Sequence, residues 1–229
     1  MLWMKAWFET RWRLLYALGL PLSALALRVP GGIGSTKDAR TTMFAMSFFL
    51  VFAAVYLAGA GVRTQSSFQM TKGLHGSTYF TLSLPVSRFR LLAVRTGFGL
   101  LEMAGINAVV IALAWSLFPF VRANSTPLDL LEAILAAIVC TTCFYLVSVF
   151  AATFLGELWH IWTSLLVVCC AWWAVARLAL TPSVDIFRFL GDASPLITHT
   201  LPWPAIGISV FVSAILFLAA FKIVQTREY

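Results

Sequence analysis

The chain has 229 residues, of which 61% are hydrophobic and only 11% are charged. Soluble domains usually carry about 25% charged residues, so this chain has too little polar surface to cover a water-facing fold. Its net charge of +7 does not indicate nucleic-acid binding, because the basic residues are scattered between apolar runs instead of being gathered on one face. The composition excludes a soluble globular protein and indicates an all-α, polytopic membrane protein.

The first segment, residues 1–13, is predicted to form an amphipathic helix at the membrane interface. On a helical projection Trp3 and Trp7 fall on one side, whereas Lys5 and Glu9 fall on the other. The alternative is that this segment is the frayed start of the first membrane span. No small-residue cleavage site follows a compact apolar core, so we expect the segment to remain in the mature protein.

Six apolar runs follow, and each is predicted to be a membrane span. They cover residues 14–29, 41–61, 91–118, 130–155, 159–180 and 203–221. A bilayer core of roughly 30 Å needs about 20 apolar residues, so the first run is short for a span. Proline and glycine mark loops at 30–40 and 119–129 and a long external loop at 181–202. Residues 184–191 in that loop are predicted to form one or two amphipathic turns. We treat 1–229 as a single transmembrane domain.

Six spans place both termini on the same side of the membrane. Cytoplasmic loops are enriched in Lys and Arg, which favours cytoplasmic termini here. In that orientation, the basic residues on the opposite side are Arg28, Lys37, Arg40, Arg122, Arg177 and Arg188.

The sequence predicts no catalytic or metal site in this chain. It contains no phosphate-binding glycine loop, no paired-histidine metal motif and no nucleophile elbow. Cysteines lie only inside apolar runs, where they behave as small hydrophobes. His75, His160 and His199 lie in separate polar segments, which argues against one shared site.

Glu102 is the acidic residue placed deepest in a predicted span. It follows Arg95 by seven residues, which is about 10 Å along a helix. Charged residues in spans usually face a bundle interior and mark functional sites. We therefore take Glu102 as a candidate pathway or gate residue. The alternative is an acid near the interface that pairs with Arg95 or becomes protonated.

The polar segment 62–90 is predicted to be a cytoplasmic loop that leads into the third span. Pro85 is suited to the first turn of a helix, because that position needs no backbone N–H donor. Ser77 or Thr78 is suited to cap a short surface helix over residues 77–83. On the periodicity alone, a simple connector is the better interpretation of this helix.

Residues 76–95, GSTYFTLSLPVSRFRLLAVR, resemble the cytoplasmic loop between spans two and three of type 2 ABC exporter permeases. In that family the loop begins with Gly and Thr or Ser and continues as a short apolar helix. It ends in Leu-Pro-x-Ser-Arg and a basic start to the next span. The residues that match this pattern are Gly76, Ser77, Leu84, Pro85, Ser87 and Arg88. The amphipathic N-terminal helix, the six spans and the long loop before the last span agree with the same family.

The resemblance implies a coupling helix that docks on a separate cytoplasmic ATPase subunit. The residues implied in this contact are Ser77, Thr78, Tyr79, Phe80, Leu82, Pro85 and Arg88. It also implies a dimer with a second permease subunit, identical or homologous, in contact with membrane lipids. ATP and Mg²⁺ would be bound by the ATPase, so this chain is expected to carry no cofactor and no enzymatic site. The implied location is the bacterial inner membrane.

Two alternatives have other functions. A membrane-embedded enzyme acting on lipids would need acids or histidines clustered at one depth, and the sequence shows no such cluster. A non-transporting scaffold or sensor partnered with an ATPase would keep the same motif and the same spans.

Overall fold

The computed structural model of the chain describes residues 2–28, 35–58, 88–155, 157–177, 185–191 and 193–226. The residues described here form helices and no strands, which confirms the all-α prediction for this part of the chain. In chain order the helices are α1 (Leu2–Arg28), α2 (Thr36–Leu57), α3 (Arg88–Leu117), α4 (Pro119–Asn124), α5 (Pro127–Phe154), α6 (Glu157–Arg177), α7 (Ile186–Leu190), α8 (Pro195–Thr198) and α9 (Trp203–Thr226).

Within the described ranges, four helices are long and apolar enough to cross a membrane. Their apolar segments are Lys37–Leu57 in α2, Leu92–Leu117 in α3, Pro127–Phe154 in α5 and Trp203–Thr226 in α9. They coincide with the second, third, fourth and sixth predicted spans. The fifth predicted span corresponds to α6, whose apolar part, Trp159–Val175, is shorter.

α1 runs as one helix from Leu2 to Arg28 and joins the predicted interfacial segment to the predicted first span. Pro21 lies inside this helix and is buried. Its ring removes one backbone hydrogen bond, a loss that packing against α2 and α3 must offset. The placement of residues 1–13 at the membrane interface stays a prediction.

α5 is the central helix of the bundle and packs on α2, α3, α6 and α9. Its contact with α9 is the most extensive of these. The buried side chains of α9 in this region are small, and they include Ala205, Ser209, Ser213 and Ala220. Small residues at about one-turn spacing let two backbones approach closely, which is the usual basis of helix packing in membranes.

The start of α5 is fixed by a capping box. Thr126 Oγ1 accepts a hydrogen bond from the backbone N–H of Asp129, and the Asp129 carboxylate accepts one from the N–H of Thr126. Pro127 occupies the first turn, where a missing N–H has no cost. The sequence Thr-Pro-Leu-Asp therefore determines where this helix begins.

Two predicted loops contain short helices. Residues 119–129 were expected to be irregular, but α4 begins at Pro119 and its Val121 is buried. Proline presets the helical φ angle, and burial of Val121 stabilises the turn. In the loop 181–202, α7 and α8 are helical, and α7 coincides with the predicted amphipathic turns at 184–191.

The short helices α4 and α8 contact each other at one end of the bundle, which we call the α4–α8 end. A cavity of about 200 Å³ there is lined by residues of α2, α4 and α8, among them Ala39, Phe120 and Leu196. His199 follows α8 with a left-handed backbone (φ 54°), and its Nδ1 lies 3.0 Å from Asp129 Oδ2. The loop before α9 is thereby held against the start of α5.

Candidate functional site

The predicted ATPase-coupling segment lies almost entirely outside the described residues. α3 begins at Arg88, so the described chain resumes at the basic end of the motif. Arg90 is exposed there, and Arg95 is half-buried one turn further on. The coupling residues that fall outside the described ranges are Ser77, Thr78, Tyr79, Phe80, Leu82 and Pro85.

Glu102 is buried, with 8% of its surface exposed, and faces α1. Thr10 Oγ1 on α1 donates a hydrogen bond of 2.6 Å to Glu102 Oε1. Three residues earlier on α1, Trp7 packs edge-on against Phe98 with ring centroids 6.3 Å apart. In these two contacts the later residue of α1 meets the later residue of α3, so the two helices run parallel over this stretch.

The structure pairs Glu102 with Thr10, whereas the sequence suggested Arg95 as a partner. Thr10 makes the hydrogen bond, and no ion pair between Glu102 and Arg95 occurs in the described structure. Arg95 lies about 10 Å away along the axis of α3, whereas the parallel packing brings Thr10 to the level of Glu102. α1 thus stabilises this acid through a neutral hydroxyl donor.

Tyr145 of α5 reaches the same region of α3. Its hydroxyl donates to the backbone oxygen of Thr96 at 3.3 Å and lies directly against Gly99. Gly99 and Glu102 are three residues apart and therefore occupy neighbouring positions on the helix surface. Thr10, Thr96, Glu102 and Tyr145 form an oxygen-rich contact between three helices, which we call the polar junction.

The polar junction has unused hydrogen-bonding capacity. Glu102 Oε2 and Thr96 Oγ1 are buried, and neither has a hydrogen-bond partner among the described residues. Most buried polar side-chain atoms have such a partner, so each exception needs an explanation. A substrate, a solvent molecule or a rearranged helix contact would each supply one.

A second polar contact between α3 and α5 lies further along α3. Asn107 Nδ2 donates to Thr141 Oγ1 at 3.1 Å and to the backbone oxygen of Met103 at 2.9 Å. Hydrogen bonds of this kind between spans contribute about 0.6 kcal/mol on average. This contact fixes the register of α3 on α5 and so helps to position Glu102.

The described histidines and cysteines lie outside the polar junction. His160 Nε2 lies 3.2 Å from the backbone oxygen of Ala58, at the end of α2, and His199 contacts Asp129 at the α4–α8 end. Cys140 and Cys143 are buried in α5. Within the described part of the chain, no three His, Cys, Asp or Glu residues are grouped as a metal site requires.

Sequence reasoning located Glu102 but missed Thr10 and Tyr145. Thr10 lies between charged residues in an amphipathic pattern, and its partner is 92 positions away in the chain. The one available signal for Tyr145 was Gly99, since a glycine inside an apolar helix often marks a close approach by another group.

Comparisons with known proteins identify no relative. No family model matches the chain, and neither a curated protein nor a solved structure is found to be similar to it. The described geometry and the motif at residues 76–95 are therefore the basis for the functional proposal.

Proposed function

We propose that this chain is the membrane-spanning permease subunit of an ATP-driven type 2 ABC exporter. It couples to a separate cytoplasmic ATPase and moves its substrate across the membrane by alternating access. The observation that carries the proposal is the Gly-Ser … Leu-Pro-Val-Ser-Arg segment, whose last residue, Arg88, begins α3. A movement of this segment caused by the ATPase would be transmitted directly to α3, the helix that contains Glu102.

The proposed permease has six spans, two more than the four long apolar helices. One of the two additional spans is α6. Its 21 residues extend about 31 Å, close to the roughly 30 Å of a bilayer core. Exposed tryptophans lie near both of its ends, Trp159 and Trp162 at one and Trp172 and Trp173 at the other. Tryptophan is enriched at both membrane interfaces, so this spacing favours a span.

α1 is the other additional span. Its 27 residues extend about 40 Å, enough to cross the bilayer with its charged first half at the cytoplasmic headgroups. Arg11 is exposed and Arg13 is half-buried, and both follow Thr10 along α1. Long arginine side chains can reach the headgroups from such positions. The polar junction would then lie towards the cytoplasmic side, near the proposed coupling segment.

Transport would use the contact between α1 and α3. Alternating access needs contacts that differ in free energy between two conformations. The Thr10–Glu102 hydrogen bond and the unsatisfied Glu102 Oε2 supply a contact that a shift of α3 would change. We propose that Glu102 faces the pathway in one of the two conformations. The permease acts as a dimer of two permease subunits in the bacterial inner membrane, and both termini of each subunit are cytoplasmic.

Co-purification with the ATPase tests the proposal. Tyr79 and Phe80 are replaced by Asp, and the chain is purified in mild detergent from cells that express its native partners. We expect the unsubstituted chain to retain a nucleotide-hydrolysing subunit. The double variant should lose at least about 90% of that subunit, since two charges replace apolar docking groups at the centre of the contact.

A matched control is replacement of Phe120, a half-buried residue of α4 at the opposite end of the bundle, by Asp. That variant should retain the ATPase if it inserts normally. A chain that never retains a nucleotide-binding partner contradicts the proposal. Retention of the partner by the Tyr79/Phe80 variant contradicts only the assignment of the coupling helix. ATPase binding without transport in reconstituted vesicles would instead indicate the scaffold or sensor alternative.

A further inference from the structure

An apolar crevice of about 150 Å³ lies between α2, α6 and α7, away from the polar junction. Aromatic side chains from all three helices line it, including Phe48, Trp172 and Phe187. Phe48 and Trp172 are also exposed on the outer surface of the bundle. The crevice is therefore open to the surroundings of the helices, and its walls match a hydrocarbon chain better than water.

The crevice lies close to the α4–α8 end. α2 and α6 are antiparallel, with His160 of α6 3.2 Å from the Ala58 oxygen of α2. Because both helices rise about 1.5 Å per residue, this contact brings Arg177 level with Thr41, next to Arg40. A Cβ atom added to Gly191, just after α7, would lie 3.0 Å from the Phe44 Cα. α7 is thus fixed beside the same turn of α2.

Three exposed arginines, Arg40, Arg177 and Arg188, are placed near this end of the crevice by their positions along α2, α6 and α7. Arg40 is one turn before Phe44, and Arg188 directly follows Phe187, which lines the crevice. None of the three forms an ion pair with a carboxylate in the described ranges, and the Arg177 guanidinium lies 5.7 Å from the ring centroid of Trp173 on its own helix. The two nearest described acids have partners at helix starts. Asp38 accepts a hydrogen bond from the hydroxyl of Ser35, the N-cap of α2. Asp185 is the N-cap of α7 and accepts from the N–H groups of Phe187 and Arg188.

We propose that this crevice is a binding site for an anionic phospholipid. One acyl chain occupies the apolar crevice, and the phosphate lies between Arg40, Arg177 and Arg188. Guanidinium groups bind phosphate oxygens in a bidentate manner, and arginine is the preferred side chain for phosphate recognition. The crevice below the arginines selects a membrane lipid over free phosphate. The site requires that α2 and α6 be in the membrane and is independent of any ATPase partner.

Lipid titration of the purified chain tests this site. The chain is held in a neutral detergent, and bound lipid is counted by native mass spectrometry as phosphatidylglycerol or phosphatidylcholine is added. We expect phosphatidylglycerol to bind at least about tenfold more tightly than phosphatidylcholine. Replacing Arg40 and Arg188 together with Gln should remove that preference. Cys169→Phe, which fills the crevice from an exposed position, should weaken both lipids.

The matched control is Arg122→Gln, which removes an exposed arginine at the same end of the bundle but on α4. This control should keep the preference for phosphatidylglycerol. Equal binding of the two lipids, or an unchanged preference in the Arg40/Arg188 variant, overturns the proposal. Inorganic phosphate that competes as well as phosphatidylglycerol also overturns it, because the acyl chain would then contribute nothing.

Discussion

At the level of single residues, the burial of Glu102 is the main feature that links structure to the proposed function. A carboxylate in a membrane helix is costly, by up to about 2.5–3.5 kcal/mol at the centre of a span and by less towards the cytoplasmic side, where the polar junction is proposed to lie. Thr10 satisfies one of its oxygens, and the other has no partner among the described residues. The second oxygen can therefore accept a further hydrogen bond in a conformation that brings a donor to it, which is the role proposed above.

We predict that Glu102→Gln alters ATPase turnover of the reconstituted complex without loss of expression. Glutamine keeps an oxygen that can accept from Thr10, so the α1–α3 contact should survive. The charge is lost, and a change of about 1 kcal/mol between the two conformations would alter the rate about fivefold. Turnover is measured in proteoliposomes against Glu132→Gln, the same substitution on α5. Unchanged turnover in both variants would assign Glu102 a structural role only.

At the level of helices, the packing of the Tyr145 ring of α5 against α3 depends on the absence of a side chain at Gly99. A Cβ atom at this position would lie 2.9 Å from Tyr145 Cζ and would overlap the Tyr145 hydroxyl. Tyr145 is buried, so its ring has little space into which it could move to admit a Cβ atom. The same contact holds the Tyr145 hydroxyl on Thr96 and thereby shapes the polar junction.

We predict that Gly99→Ala lowers the free energy of unfolding by about 1–3 kcal/mol, the usual cost of overpacking. Thermal unfolding in detergent measures this loss. Gly105→Ala is the control on the same helix, because a Cβ there meets nothing within 4 Å and alanine favours the helix. Combining Gly99→Ala with Tyr145→Phe should recover part of the loss, since the closest overlap is with the hydroxyl. A Gly99→Ala variant as stable as the control would refute the packing argument.

At the level of the whole molecule, the number of spans depends on α1 and α6. Four helices qualify by length and apolarity alone. α1 carries charges in its first half, and the apolar part of α6 is short, so each needs its aromatic and basic residues to be placed at the headgroups. With six spans, residues 156–158 and 181–202 lie on opposite sides of the membrane. With four spans, in which neither α1 nor α6 crosses, the two segments lie on the same side.

We predict that alkaline phosphatase fused after Leu155 is inactive and that the same reporter fused after Pro182 is active. This reporter folds only outside the cytoplasm, so the pair of fusions measures whether α6 crosses. A fusion at Tyr229 should be inactive, which would place the C-terminus in the cytoplasm. Equal activity at the first two positions would contradict a spanning α6, whichever way the protein is oriented.

The sequence alone predicted the helical fold of the described residues and the approximate position of the four helices that are long and apolar enough to cross a membrane, because hydrophobic runs and turn residues are local signals. It also identified Glu102, since an acid in an apolar run is conspicuous in composition. Thr10, Tyr145 and the arginines around the α2–α6–α7 crevice depended on the tertiary structure. Their proximity follows from the parallel register of α1 on α3 and the antiparallel register of α2 on α6. Those registers arise from packing between helices far apart in the chain, which no local pattern encodes.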